Sequence, residues 1–354
     1  MNRRLFTVGP VEVREELVKA MSRPMIIHRG KEYKRLHEDI VEKTRKVLDT
    51  DMEVLFVGSS ASGLLEGCSR CGVMNKALGI SNGSFGKRWQ EISEMNGKEV
   101  VKAQAPWGEP VRPHHFVDLI DDSVDAVHFV SNESSTGVLN PVHELVDAIK
   151  ERSDAMVMVD GVTAVAGTDL KLRSLDVDAL VFGSQKALAL PPGLALVACS
   201  ERLLKRAAES KDAGFYFNLH ELRKKNDENY ALTTPPVSLM YGLDAQLDRM
   251  LAEGMPARYR RHQEMKALVH AWALERDGLY AMEGYRSDTI SVINKGDMPF
   301  DTFHNALKDK GYEISNGYGK IKDTTFRIGH MGDLTVADIK ELIEKMDETL
   351  EELA

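Results

Sequence analysis

Lys186 follows the run Asp178-Ala179-Leu180-Val181-Phe182 and lies in Gly183-Ser184-Gln185-Lys186-Ala187-Leu188-Ala189-Leu190-Pro191-Pro192-Gly193, ahead of a stiff Pro-Pro-Gly turn. A lysine at a strand end faces a crevice. Desolvation there lowers its pKa and frees the amine to attack carbonyls. Taken alone, it reads better as a surface residue. A second run, Ala155-Met156-Val157-Met158-Val159-Asp160, ends in a carboxylate. Its unbroken apolar character fits a strand buried on both faces of a parallel sheet. Asp160 then stands at the strand's C-terminal end, where open α/β sheets bind ligands.

An amine at one strand end and a carboxylate at another are what a pyridoxal phosphate site requires. The lysine makes the Schiff base, and the carboxylate keeps the ring nitrogen protonated so that the ring acts as an electron sink. A turn cap is the plainer reading of Asp160. For the cofactor phosphate, Gly58-Ser59-Ser60-Ala61-Ser62-Gly63 follows the apolar run Val54–Val57 and precedes a helical pattern. It offers small residues, hydroxyls and the positive end of a helix dipole.

These segments resemble class V aminotransferases, and within them the alanine–glyoxylate and serine–pyruvate aminotransferases. The lysine motif carries the likeness. So do Thr7-Val8-Gly9-Pro10, Asn82-Gly83-Ser84-Phe85-Gly86-Lys87-Arg88-Trp89, Asn132-Glu133-Ser134-Ser135-Thr136-Gly137-Val138, Thr233-Thr234-Pro235-Pro236-Val237-Ser238 and Phe326-Arg327-Ile328-Gly329, in that order along almost the whole chain. The resemblance implies a fold type I pyridoxal phosphate enzyme of the α/β class. It places Lys186 and Asp160 as catalytic residues. Ser60, Ala61 and Ser62 form the phosphate cup, Phe85 covers the cofactor ring, and Ser134, Val162 and Gln185 line the cofactor. Tyr230 and Thr233 reach the phosphate of a partner subunit, which implies a homodimer. Arg327 holds the substrate α-carboxylate by a planar fork, with Gly9 beside it. Arg29, in His28-Arg29-Gly30, is a further substrate candidate able to read an acidic side chain. The C-terminal part lacks the His-Arg pair that would complete a phosphoserine pocket and reads Ser315-Asn316-Gly317-Tyr318-Gly319 instead. Ala61 stands where relatives often have glycine, so the loop there is expected to have less freedom.

The implied activity moves an amino group from a small amino acid, alanine or serine, to glyoxylate or pyruvate by a ping-pong route. Aspartate or another acidic donor is the alternative. A lyase or desulfurase is the rival reaction class, but the three cysteines, Cys68, Cys71 and Cys199, fall in apparent helix or strand. Cys68 and Cys71 lack the second pair a structural zinc needs, and no metal is expected. A fold-keeping binding module would be expected to lose Lys186 or Asp160.

The 354 residues allow a large core and more than one domain. A net charge of −9 argues against nucleic acid as a partner. No apolar run reaches the ~20 residues of a membrane span. The start Met1-Asn2-Arg3-Arg4 has no apolar stretch after it to make a signal peptide, so a cytoplasmic location is expected. Strand-like runs at Val54–Val57, Ala77–Ile80, Val100–Val101, Ala126–Val130, Met156–Val159, Leu180–Phe182 and Leu194–Ala198 alternate with helical patterns. They predict a mainly parallel sheet in a large domain, residues 1–250. Residues 251–354 are expected to form a smaller α+β domain. One long helical region, Val237–Arg276, spans the junction. The last helix opens on a Thr335/Asp338 capping box and carries the stripe Ile339, Leu342, Ile343, Met346 and Leu350.

Overall fold

The computed structural model describes residues 3–353; Met1 and Asn2 of the basic start, and Ala354, lie outside the described residues. A seven-stranded sheet runs in the order Glu53–Gly58, Leu194–Cys199, Ala179–Gly183, Met156–Asp160, Val124–Val130, Lys76–Ser81, Glu99–Gln104. Leu194–Cys199 is antiparallel to both neighbours. The other four pairings are parallel. Two reversals cancel, so Glu53–Gly58 points the same way as the parallel strands. The ends Gly58, Ser81, Val130, Asp160 and Gly183 therefore share one edge of the sheet, the edge where α/β folds bind ligands.

Apolar residues face both ways, as a sheet covered on two sides requires. Val54 and Phe56 join one core cluster while Leu55 and Val57 join another. Val157 and Val159 divide from Met156 and Met158 in the same manner. Glu99–Gln104 is the edge strand. Only Ala103 is fully buried in it, so just Val100–Val101 stood out in the sequence.

A third core cluster gathers around a three-stranded antiparallel sheet in the order Ile290–Asn294, Thr325–Gly329, Ser315–Asn316. The last helix, Val336–Leu353, packs Ile339, Leu342 and Met346 into it, with Ile343 and Leu350 half-buried. Its capping box is formed: Asp338 N–H donates to Thr335 Oγ1 at 3.2 Å, and Thr335 N–H to Asp338 Oδ2 at 2.7 Å. The long helical region is two helices, Val237–Glu253 and Met255–Leu274. Gly254 at φ +80° breaks it, and Pro256 sits in the first turn of the second helix, where a missing N–H costs nothing.

The N-terminal segment belongs to both sheets' surroundings. Arg4–Leu5 pairs in parallel with Tyr312–Glu313, and Gly329 N–H donates to Phe6 O at 2.8 Å. The chain then passes Gly9, joined to Pro10 by a cis peptide, at the lysine. Helices Glu15–Met21 and Lys31–Leu48 follow.

Candidate active site

A cavity of about 330 Å³ opens at the shared strand edge, within the ~300–1,000 Å³ usual for small-molecule sites. Ser60, Ala61, Ser62, Phe85, Ser134, Asp160, Val162, Gln185 and Lys186 all line it. Nine of the fourteen residues singled out from the sequence thus meet in one place. Gly9 and Arg327 border it, as shown below. A larger cavity, about 560 Å³, lies between the end of helix Lys31–Leu48 and the start of helix Met255–Leu274, and holds none of them.

Lys186 stands three residues past strand Ala179–Gly183. Its ammonium donates to Val8 O in the N-terminal segment. Gly9 adopts φ +121°, and a Cβ there would lie 2.9 Å from Lys186 Cδ and 3.2 Å from Nζ. Only glycine permits that approach. Burial, and then the Arg327 cation, lower the Lys186 pKa to about 8, against the pull of Asp160 and Glu133. An amine so placed is substantially neutral near pH 8 and able to add to a carbonyl or take a proton.

Asp160 is the last residue of strand Met156–Asp160 and is buried. Its Oδ1 accepts from Val162 N–H at 2.8 Å. Burial raises its pKa to about 7, with the Val162 bond opposing and Glu133 adding to the rise. A cation brought beside it would lower the value again and hold the carboxylate charged.

Ser60 is the N-cap of helix Ala61–Gly72, in extended backbone with no side-chain cap bond. Ala61 and Ser62 line the cavity with no side-chain cap on their N–H groups, at the positive end of a twelve-residue helix, while Gly63 N–H donates to Ser60 O at 2.9 Å. Ala61 is the first residue of that helix and has no positive φ. Alanine is accommodated there without backbone strain.

Arg327 lies in Thr325–Gly329, the central strand of the small sheet. It is 8% exposed; its Nε donates to Asn316 O at 2.9 Å and its Nη1 to Ser134 O at 3.2 Å. Burial lowers its pKa to about 10. These two carbonyls aim the fork at the cavity wall that Ser134 builds.

Arg29, Tyr230 and Thr233 do not line this cavity. Tyr230 Oη donates to Arg29 O at 3.1 Å, and Lys34 Nζ lies 4.4 Å from its ring centroid. Arg29 itself is exposed.

Two residues were missed. Glu133 is fully buried, and its carboxylate accepts from Phe85 N–H and Gly86 N–H at 3.0 Å each. It also takes Ser135 N–H at 3.0 Å and Ser135 Oγ–H at 2.6 Å. It caps helix Ser84–Met95 from another segment and so sets where Phe85 stands. Arg88 lines the cavity one turn beyond Phe85, its guanidinium 4.8 Å from that ring's centroid. Both lay inside quoted motifs, but only the fold shows which way they point.

The sheet, the lysine and carboxylate on its C-terminal edge, and the helix N-terminus facing them define a fold type I pyridoxal phosphate enzyme, and the residues present suit that cofactor. Residues 12–320 match the class-V aminotransferase family, and the chain belongs to that family of pyridoxal phosphate transaminases. It is similar to the L-aspartate–glyoxylate aminotransferase of Paracoccus denitrificans, 31% identical over 94% of this chain and 87% of that protein. The serine–glyoxylate aminotransferase of Methylorubrum extorquens is 28% identical over 93% and 86%. A solved aspartate aminotransferase of subgroup IV from Thermus thermophilus superimposes with a TM-score of 0.90 at 27% identity, covering 99% of each chain.

Proposed function

We propose that this transaminase moves the amino group of a small amino acid, alanine or serine, to glyoxylate or pyruvate. One observation carries the reading: an amine lowered to about 8 shares a cavity with a buried carboxylate and an open helix N-terminus. Glyoxylate is favoured as acceptor because the names of the Paracoccus and Methylorubrum relatives share it.

The bound cofactor supplies an electron sink for the substrate's α-carbon. The chain's residues do the rest. The Lys186 amine anchors the cofactor, then serves as general base for the α-proton. Asp160 offers its carboxylate to the ring nitrogen. Ala61 and Ser62 N–H groups take the phosphate, with the Ser60 hydroxyl beside them. Phe85 and Val162 hold the ring flat and exclude water, with Gln185 at its edge. Arg327 orients the α-carboxylate, while Gly9 keeps the N-terminal segment close over the amine. Tyr230, Thr233 and Arg29, which stand apart from this chain's own cavity, are assigned to the cavity of a second copy in a homodimer. The desulfurase alternative loses ground: Cys68, Cys71 and Cys199 are all buried, and burial pushes each thiol up, Cys71 to about 11.

The test is a half-reaction. Cofactor-loaded protein is mixed separately with alanine, serine, aspartate, glutamate and phosphoserine, and the cofactor absorbance is followed. Alanine or serine should convert it to the amine form, and Lys186→Ala should not respond. A spectrum unmoved by every donor would end the proposal.

A further inference from the structure

Two arginines at this site have no anion. Arg88 Nη2 donates to Tyr318 Oη at 2.9 Å, and Arg327 lies over the Tyr318 ring, 5.3 Å from its centroid. Tyr318 in turn stacks on Phe85, centroids 5.6 Å apart at 17°. One phenol ring is thus bracketed by two guanidinium groups. Among the described residues, no carboxylate lies within ion-pairing distance of either. Glu133 is the nearby candidate, but both its oxygens are spent on Phe85, Gly86 and Ser135. A cation kept at a cavity without a counter-ion is costly unless a ligand provides one.

The two forks are held differently. Arg327 is fixed by backbone carbonyls from two segments. Arg88 is fixed by one phenol oxygen and one aromatic face, and the rest of its donors make no hydrogen bond among the described residues. An α-carboxylate satisfies one fork. For alanine or serine the other would remain empty. A donor that carries a second carboxylate on its side chain brings an anion for the other, since both guanidinium groups lie against the same Tyr318 ring, one at its hydroxyl and one at its face.

We propose that Arg88, oriented by Tyr318, reads the side-chain carboxylate of a dicarboxylic amino donor, so that the donor range of this enzyme extends to aspartate. This rests on the transaminase reading above. It gives Arg88 the acid-reading role for which the sequence offered Arg29.

The experiment compares cofactor-loaded wild type, Arg88→Gln, Arg88→Lys and Tyr318→Phe in the half-reaction with aspartate and with alanine, recording bound cofactor for each. The aspartate-to-alanine ratio of kcat/KM should fall about 30-fold in Arg88→Gln, mainly through KM, as loss of one charged hydrogen bond predicts. Arg88→Lys, which keeps charge but not the fork, should fall less. Tyr318→Phe should fall about fivefold by loosening Arg88. An unchanged ratio in Arg88→Gln overturns the assignment. So does loss of bound cofactor without a change of ratio, which would place Arg88 on the phosphate. Wild type that accepts alanine but not aspartate overturns this inference and leaves the transaminase standing. A wild type that accepts no donor ends both.

Discussion

Glu133→Gln replaces one oxygen that accepts hydrogen bonds with an amide that donates them. In the native protein four donors converge on this carboxylate: the N–H groups of Phe85, Gly86 and Ser135, and the Ser135 hydroxyl. The remaining oxygen of glutamine keeps at most one pair. The new NH₂ faces the other pair, and at least one backbone N–H is left buried without a partner. A charged hydrogen bond is worth about 1.5–3 kcal/mol, and an orphaned buried donor costs about 1–3 kcal/mol. Together they predict a loss of about 4 kcal/mol. At about 2.1 cal/mol/K of unfolding entropy per residue, 354 residues give about 0.74 kcal/mol per degree. The melting temperature should therefore drop by about 5 °C in calorimetry of the cofactor-free protein. A second readout separates charge from packing. The carboxylate raises the pKa of both Lys186 and Asp160, so its removal must lower both. A drop under about 1 °C, with no change in the pH profile of Lys186 reactivity, would show that Glu133 does not cap this helix.

Capture of the Lys186 amine by a carbonyl reagent in cofactor-free protein should rise through pH about 8 rather than near 10.5. The same shift means that the unfolded chain binds more protons between those values, so this group makes stability increase as pH rises from about 8 to 10.5; urea midpoints across that window check the sign. Gly9→Ala should cost about 1–3 kcal/mol for its φ of +121° and should also slow amine capture, because the new Cβ meets Lys186. Arg258→Met removes a 1% exposed guanidinium that donates to Ala166 O at 3.0 Å and Ala187 O at 2.7 Å, and pairs with Asp333 at 3.1 Å. It should destabilise by about 3–5 kcal/mol, read as a lower urea midpoint at unchanged slope.

What could be read from the sequence follows from how each feature is encoded. Six of the seven sheet strands announced themselves as apolar runs because both sheet faces are covered there, whereas the edge strand Glu99–Gln104 showed only Val100–Val101. Asp160 and Lys186 were legible because each interrupts or follows such a run, and a strand end fixes where its next few residues must lie. The turn Gly58–Gly63, which brings Ser60, Ala61 and Ser62 to the same cavity, was legible for the same reason. The break at Gly254 was marked in the sequence by Gly254 and Pro256, a helix stop followed by a residue suited to a helix's first turn, although a single helical region was expected there. Glu133 and Arg88 show the deeper limit. Glu133 is 48 residues from Phe85, and Arg88 is 230 from Tyr318. Neither pairing has a local pattern, because each joins elements whose proximity is set by sheet order. Arg327 lies between these cases. Its motif marked it, but its neighbour Tyr318 seemed only to show the absence of a phosphoserine pocket. The structure gives that same loop a positive content: an aromatic ring with a guanidinium at its face and another at its hydroxyl. The chemistry of the reaction is thus written at strand ends, where sequence speaks plainly. The donor choice proposed above rests on contacts between distant segments, and a side chain's anion partner, or its lack of one, becomes visible only when those segments meet.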